Sequence, residues 1–281
     1  MSRVLLTGAS GFVGRQVIAP LIQLGFDVHA TARRPLGVPA IREHNVDLFN
    51  HGAVSKLLGD IRPTHLVHLA WYTKPPEYWH SPINAEWETH SVHLFESFVH
   101  NGGERLVGAG TCAEYEWGSS LLAENVTPTN PATPYGQAKL SLSRRGEIIA
   151  RLAGISFVWA RFFFLFGPHE RQERFVPSII DSLLRGEIAH CRNGDLERDY
   201  LYVEDAGAAM AALARSEIAG TVNVASGIAS QLGAIAKGIG AALRSEELVH
   251  VEVGKDATTQ PASIVANVDR MAREVGWRPR Y

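Results

Sequence analysis

Short apolar runs and longer amphipathic stretches alternate from residue 3 to residue 161. Arg3–Thr7 (RVLLT) reads as a strand that runs into a glycine-rich turn, with a helix over Gly11–Leu24 behind it. Asp27–Ala32, Ile41–Asp47, Thr64–Ala70 and Arg105–Ala109 carry the pattern of further strands. Asn50–Leu58 and Asn84–Asn101 read as helices, the second stopped by Gly102–Gly103. Pro128, Pro131 and Pro134 forbid a helix before Tyr135, so the next one is Tyr135–Ala153. Strands follow at Ser156–Arg161 and, further on, at Thr221–Val224. Strands and helices interleaved in this way predict an α/β fold, a doubly wound parallel sheet (Rossmann) covered on both faces.

The alternation loosens after Arg161. Helices are expected at Phe175–Arg185 and Leu232–Leu243, without regular strand partners, and Cys191–Asp199 is polar. We therefore expect two units: a dinucleotide-binding domain over residues 1–166 and 199–227, and a smaller substrate-binding lobe over residues 167–198 and 228–281. No internal repeat or low-complexity linker is visible.

Composition narrows the function classes. Among 281 residues, 27 basic and 29 acidic side chains leave a formal net charge of −2, which gives no electrostatic footprint for nucleic acid or for an acidic membrane. Only Cys112 and Cys191 are present, so a disulfide framework is excluded and a reducing compartment is expected. No apolar stretch approaches the roughly 20 residues needed to span a bilayer. The chain opens directly on a strand, without signal-peptide architecture, so a cytoplasmic location is expected.

Candidate chemistry begins at Thr7-Gly8-Ala9-Ser10-Gly11-Phe12-Val13-Gly14. Gly8 permits a tight turn, Gly11 lets backbone amides approach a pyrophosphate, and Gly14 allows close helix–strand packing. Gly8, Ser10, Gly11, Phe12, Val13 and Gly14 are thus the candidate cradle at a helix N-terminus. An ordinary glycine-rich turn would show the same spacing; the strand before it and the helix after it favour the cradle. At the end of the second strand stands Thr31-Ala32-Arg33-Arg34, with no carboxylate between Asp27 and Glu43. Arg33 and Arg34 suit a 2′-phosphate, which points to NADP with NAD as the alternative, or they are a solvated surface pair.

Tyr135-Gly136-Gln137-Ala138-Lys139 opens the helix after the prolines, with Tyr135 and Lys139 on one helical face. A phenol is a proton donor at neutral pH, and a nearby ammonium eases release of its proton. Twelve histidines raise the question of a metal. His65 and His68 face opposite ways on a strand, and His90 and His93 have no third ligand spaced beside them, so no metal is expected. Cys112 has no base named beside it and reads as a small core side chain.

With the TGxxGxxG turn and the YxxxK helix in place, the chain resembles the extended short-chain dehydrogenase/reductase family, the nucleotide-sugar epimerases, dehydratases and ketoreductases, over nearly its whole length. Asp47-Leu48 resembles the family's adenine-contacting pair, and His68-Leu69-Ala70 the segment after its fourth strand. Arg161–Pro168 is similar to the segment leading to the substrate lobe, Arg198–Asp205 to the RDxxxVxD block, and Gly276–Pro279 to the usual C-terminal end. The resemblance implies a cofactor-binding role for Asp47, Leu48, Leu69, Ala70, Tyr135 and Lys139, and a substrate-steadying hydroxyl at Thr111. The family's 4,6-dehydratases carry Asp-Glu where this chain has Cys112-Ala113, so dehydration is disfavoured. Two departures stand out. Phe164 occupies the place of an Asn before the Gly-Pro, and Trp87 falls near another usual Asn.

The resemblance and the arginines together lead to an expected NADPH-dependent reduction of a keto group, at C4, on a nucleotide-linked deoxysugar. Tyr135 donates the proton, and Lys139 and Thr111 assist. The alternatives are a nucleotide-sugar epimerase with retained NAD, and a non-catalytic dinucleotide sensor. Arg198 is the candidate grip on a substrate diphosphate, or else one half of an ion pair between the lobes. Trp71 begins an aromatic loop, Trp71–His80, that either stacks on substrate or packs against the second lobe. The resemblance further implies a homodimer through the helices at Asn84–Asn101 and Tyr135–Ala153.

Overall fold

The computed structural model describes residues 2–118, 121–254 and 261–281. In chain order, β1 (Arg3–Thr7), α1 (Gly14–Gln23), β2 (Asp27–Thr31) and β3 (Arg42–His44) are followed by α2 (His51–Ile61), β4 (His65–His68), α3 (Ile83–His100) and β5 (Arg105–Thr111). After β6 (Leu121–Leu122) come α4 (Pro134–Ala153), β7 (Ser156–Phe162), β8 (Phe164–Phe166) and α5 (Phe175–Leu184). The chain continues through β9 (Ala189–Cys191), β10 (Glu197–Arg198), β11 (Tyr200–Tyr202), α6 (Val203–Arg215) and β12 (Gly220–Val224). It finishes with β13 (Ser230–Gln231), α7 (Leu232–Leu243), β14 (Val249–Val251) and β15 (Ser263–Ala266).

Seven strands form one parallel sheet in the order β12-β7-β5-β4-β1-β2-β3. The strand order reverses between β1 and β4, and the carboxyl ends of those two strands frame the crevice where ligands bind in such sheets. One core packs α1 and α6 against the sheet through Val17, Leu21, Met210 and Leu213. A second packs α2, α3 and α4 on the opposite face through Leu58, Phe95, Phe98, Leu142 and the fully buried Trp159. Both faces are therefore covered, and the central strands β1, β5 and β7 are buried almost throughout, while the edge strand β3 (Arg42–His44) is polar and largely exposed.

Local signals set the helix ends. Asn50 caps α2 by accepting the Ala53 N–H at 3.0 Å, and α2 stops at a left-handed Arg62. Thr133 caps α4 by accepting the Gly136 N–H at 3.2 Å, Pro134 occupies the first turn, and the left-handed Gly154 ends it.

The later part of the chain differs from expectation in its strands. The expected helices α5 and α7 form, but they do have strand partners: β9 and β14 pair in parallel and share a core with them through Ile179, Leu183, Cys191 and Ala236. A four-stranded sheet runs β13-β10-β15-β6, so Leu121–Leu122, within the first expected segment, pairs with β15 from the last. A further parallel pair joins β8 to β11. Asp199 ties these parts together. Its Oδ1 accepts from the Ser226 N–H at 2.8 Å and the Ser226 hydroxyl at 2.6 Å, and its Oδ2 from the N–H groups of Gly227 and Ala266 at 2.9 and 3.1 Å. Among the described residues no helix is long and apolar enough to cross a membrane.

Candidate active site

The glycine turn lies at the reversal of the sheet. Gly8 has φ +73°, and a Cβ there would meet the Ala70 N at 2.7 Å, so the turn lies directly against the Leu69–Ala70 backbone beyond β4. A Cβ on Gly14 would meet the Gly8 carbonyl oxygen at 2.1 Å, which makes the third glycine a packing requirement. Gly11 is exposed, and the N–H groups of Phe12 and Val13 find no acceptor among the described residues. Open amides at a helix N-terminus, with no side chain in front of them, fit a pyrophosphate.

Two hydrogen bonds fix the floor of this crevice. Thr7 Oγ1 pairs with His68 Nδ1 at 2.7 Å, and His68 Nε2 pairs with Ser91 Oγ of α3 at 2.9 Å. Burial pushes the His68 imidazole down to about 3, with the Lys139 ammonium acting the same way, so it is a neutral bridge between β1, β4 and α3. His65, one turn of the pleat earlier, packs edge-on against Phe26.

At the carboxyl end of β5, Thr111 begins a tight turn. Its Oγ1 accepts the Ala113 N–H at 3.2 Å, and its own N–H donates to Glu114 Oε1 at 2.8 Å. Glu114 points inward, fully buried. It pairs with Arg161 Nε at 2.7 Å and accepts the Trp159 indole N–H at 2.9 Å. This carboxylate therefore anchors the turn from below and takes no position in the cleft. Gly108 and Gly110 are required in β5 because Trp159 lies across them; a Cβ on Gly110 would meet its Nε1 at 2.2 Å.

The first turn of α4 packs on the Thr111 turn. A Cβ at Gly136 would meet the Ala113 carbonyl oxygen at 2.4 Å, so the glycine between Tyr135 and Lys139 sets how close the helix comes. The result is a juxtaposition of Tyr135 and Thr111: burial pushes the Tyr135 phenol above its ordinary value, the Tyr78 phenol adds to this, and a hydrogen bond with the Thr111 side chain opposes it. Lys139 is buried, donates to the Ala109 carbonyl at 2.9 Å, and lies 3.8 Å from the centroid of the Trp71 ring. Burial lowers its ammonium to about 7, while Glu114 acts to hold the proton on. Cys112, next to Thr111, is pushed up to about 12 by burial and is inert as a thiol.

The aromatic loop packs against the start of α4 and reaches Arg174 beside α5. Trp71 covers Lys139 and donates to Asn84 Oδ1 at 2.9 Å, while Asn84 Nδ2 holds the Tyr78 carbonyl at 2.7 Å. Tyr78 and Trp79 meet Tyr135 edge-on at 4.9 and 5.6 Å. Arg174, at the start of α5, donates to the Tyr78 hydroxyl at 3.3 Å and so links the loop to α5. Sequence reasoning missed Tyr78, Arg174 and Glu170. Glu170 follows the Gly167-Pro168 turn with Oε2 buried and without a hydrogen-bond partner among the described residues, and burial pushes its carboxyl up to about 7 while Arg174 opposes the shift. The Gly-Pro pair was the one signal that this loop returns to the cleft.

The remaining candidates lie further out. Leu48 is buried in the core beside Ala70, and Asp47 Oδ1 accepts the Phe49 N–H at 3.0 Å. Arg33 and Arg34 are exposed and form no ion pair among the described residues, while Glu43 is engaged by the N–H groups of Leu36 and Gly37 at 2.9 and 3.1 Å. Arg198 is buried on β10, and its Nη1 donates to the carbonyls of Glu197 and Pro261 at 2.7 and 3.1 Å. It lies in electrostatic range of Cys112 and Tyr200. Phe164, in the place of the family's Asn, stacks its ring obliquely on Tyr200 at 5.5 Å.

Comparison with known proteins places this geometry. The profile of the NAD dependent epimerase/dehydratase family matches residues 4–225. A UDP-glucose 4-epimerase of Corynebacterium glutamicum is 24% identical over 311 aligned residues, covering 99% of this chain and 91% of the relative. UDP-glucuronic acid decarboxylase 1 of Xenopus tropicalis is 28% identical over 79% of this chain, which spans 56% of that longer protein. Among solved structures, MoeE5 in complex with UDP-glucose and NAD is 26% identical with a TM-score of 0.85, covering 100% of this chain and 94% of MoeE5. The UDP-N-acetylglucosamine 4-epimerase of Bacillus cereus shares the fold at a TM-score of 0.86 and 21% identity, covering 100% of this chain and 92% of the epimerase.

Proposed function

Since the chain belongs to the NAD dependent epimerase/dehydratase family, we propose that it is an oxidoreductase that reduces a keto group, at C4, on a nucleotide-linked deoxysugar, with NADPH as reductant. The observation that carries this reading is the first turn of α4, which bears Tyr135, packed through Gly136 onto the Thr111 turn, with the buried Lys139 four residues on and an open glycine cradle at the reversal of the sheet.

A bound nicotinamide would supply the hydride. The turn Gly8–Val13 would hold its pyrophosphate, Asp47 and Leu48 its adenine end, and Leu69 and Ala70 the wall of the crevice. Tyr135, kept neutral by burial, donates its proton to the carbonyl oxygen as negative charge develops there. Thr111 orients that oxygen, and Lys139 offers its positive charge to the phenolate that remains. Trp71 and Arg198 belong to the substrate side, with Arg198 placing positive charge toward a diphosphate. NADPH is preferred because Arg33 and Arg34 present free guanidinium groups where a 2′-phosphate would lie. Residues 1–166 and 199–227 would form the cofactor-binding unit and the rest the substrate lobe. The exposed Ile148 and Leu152 of α4 suit self-association of two copies.

A second reading, epimerisation through a transient ketone with a retained NAD, is supported by the names of the relatives and by the NAD in the MoeE5 complex. Both readings use the same three side chains and differ in the fate of the cofactor. The deciding experiment identifies the dinucleotide carried by the purified protein, then follows NADPH consumption against a panel of 4-keto nucleotide sugars. Stoichiometric consumption with exchangeable cofactor supports reduction. Tightly held NAD with interconversion of C4 epimers, and no net consumption, supports the second reading. Dinucleotide binding without turnover of either kind overturns both.

A further inference from the structure

A cluster of metal-binding side chains lies away from the crevice, on the small parallel sheet of β9 and β14. The register sets His190 directly opposite His250. Along β9 the burial alternates buried, exposed, buried, so Ala189 and Cys191 face the α5/α7 core and His190 faces solvent. His250 is exposed on the matching position of β14, and Glu252, two residues on, returns to the same face. The backbone at Glu252 is pinned: its N–H donates to the Cys191 carbonyl at 2.9 Å, and its carbonyl accepts the Gly194 N–H at 2.8 Å. Three ligands of two types thus converge, His190 from β9 and, 60 residues on, His250 from β14 with Glu252 just past its end.

Distances point to a common occupant. The two Nδ1 atoms are 3.5 Å apart, His250 Nδ1 and Glu252 Oε1 are 3.8 Å apart, and all three donor atoms lie within 4.8 Å of one another. Zinc–nitrogen bonds of about 2.0–2.1 Å in a tetrahedral arrangement set neighbouring donors about 3.3 Å apart, so small side-chain rotations suffice. The rings meet edge-to-face at 84°, with their centroids 5.5 Å apart.

The protein holds a contrasting histidine cluster between α2 and α3. There His51 Nε2 is bonded to His90 Nδ1 at 2.9 Å, and the His51 and His93 rings stack face to face at 3.8 Å. His93 Nε2 faces the His51 carbonyl at 3.3 Å. The closest nitrogens of this cluster are bonded to one another at 2.9 Å, against 3.5 Å between the His190 and His250 Nδ1 atoms, and among the described residues only His190, His250 and Glu252 bring three metal-ligating donors within 4.8 Å of one another.

We propose that His190, His250 and Glu252 form a binding site for a divalent transition-metal ion, zinc foremost, with water completing its coordination. Imidazole donors select zinc, nickel, copper or cobalt over magnesium and calcium. The ion clips β9 to β14 and so braces the lobe that α5 and α7 complete. This site is independent of the oxidoreductase reading.

The test uses the full chain without a histidine tag. Titration of zinc chloride, followed by calorimetry, is expected to show one ion per chain with a dissociation constant of about micromolar order, reversed by a chelator. His190→Ala and His250→Ala, both surface changes, are each expected to weaken binding at least about 10-fold, and Glu252→Gln less. Zinc is expected to raise the thermal midpoint of the parent chain and to leave that of His190→Ala unmoved. His51→Ala is expected to bind as the parent does. Absence of zinc uptake, full binding by both histidine variants, or loss of binding in His51→Ala would each overturn the proposal.

Discussion

The Lys139 ammonium lies 3.8 Å over the Trp71 ring, with one proton given to the Ala109 carbonyl at 2.9 Å. A buried cation held by a ring face and one carbonyl is costly, which is why the group is lowered to about 7. The unfolded chain keeps the lysine protonated to about pH 10.5. Below pH 7 both states carry the proton and the full cost of burying the charge is present. Between pH 7 and 10.5 the unfolded state binds more protons, so stability rises with pH. Replacing Lys139 by Met is expected to raise unfolding free energy at pH 6 by about 1–3 kcal/mol, net of the lost hydrogen bond, with a smaller gain at pH 9. Turnover is expected to drop by about 100-fold or more. Denaturant titrations at the two pH values, with one activity assay, check the pair of outcomes.

Tyr135→Phe removes the proton donor and leaves the ring that Tyr78 and Trp79 pack against. Turnover is expected to fall by about 10²–10⁴-fold, with dinucleotide affinity unchanged within about twofold. Thr111→Val, which keeps the shape and loses the hydroxyl, is expected to cost less. Steady-state rates beside a fluorescence titration of the cofactor separate chemistry from binding; retained turnover in Tyr135→Phe would rule out its role as the acid.

In the proposed reading, the exposed Arg33 and Arg34 carry the choice of cofactor. The double change to Ala is expected to weaken NADPH by about 10–100-fold, since hydrogen bonds to charged groups contribute about 1.5–3 kcal/mol each and exposure reduces that. NADH affinity is expected to change little. Equal losses for the two cofactors would assign the arginines to the surface alone.

His68 gives the protein an acid limit. The unfolded imidazole takes a proton near pH 6.5, whereas the folded one, between Thr7 and Ser91, resists to about 3. Stability is complete above pH 6.5 and falls as pH drops through that window, by about 2 kcal/mol at pH 5 from this residue. His65, lowered to about 4, adds to the slope. In His68→Asn the dependence of unfolding free energy on pH between 6 and 4 is expected to be shallower by about one proton, as measured by denaturant titration across that range.

The long elements were legible because each carries a periodic apolar face or a local stop: α4 is announced by Thr133-Pro134 and ended by Gly154, and the glycine turn by its position behind β1. Tyr135 and Lys139 could be placed in the opening turns of one helix from the sequence alone because α4 holds both. Elements of two or three residues, such as Leu121–Leu122 and Ala189–Cys191, are too short to show a period, so the strand partners of α5 and α7 stayed hidden. The same holds for contacts made across the chain. Nothing local to Glu114 announces its ion pair with Arg161, 47 residues on, and nothing near Tyr78 announces Arg174. Of the histidine pairs that spacing suggested, His90 and His93 each meet His51 of α2, whereas His190 and His250 meet only because β9 and β14 do.

The four bonds that Asp199 accepts have a mechanical consequence. They join the exit of β12, the return through β15 and the strand that leads into α6 at one buried carboxylate, at the seam between the seven-stranded sheet and the smaller one. The chain passes that seam as a welded junction, with no freedom to hinge strand by strand. Widening of the cleft to admit a bulky molecule must therefore come from bending farther out, where the Gly167–Arg174 stretch brings Arg174 to the Tyr78 hydroxyl.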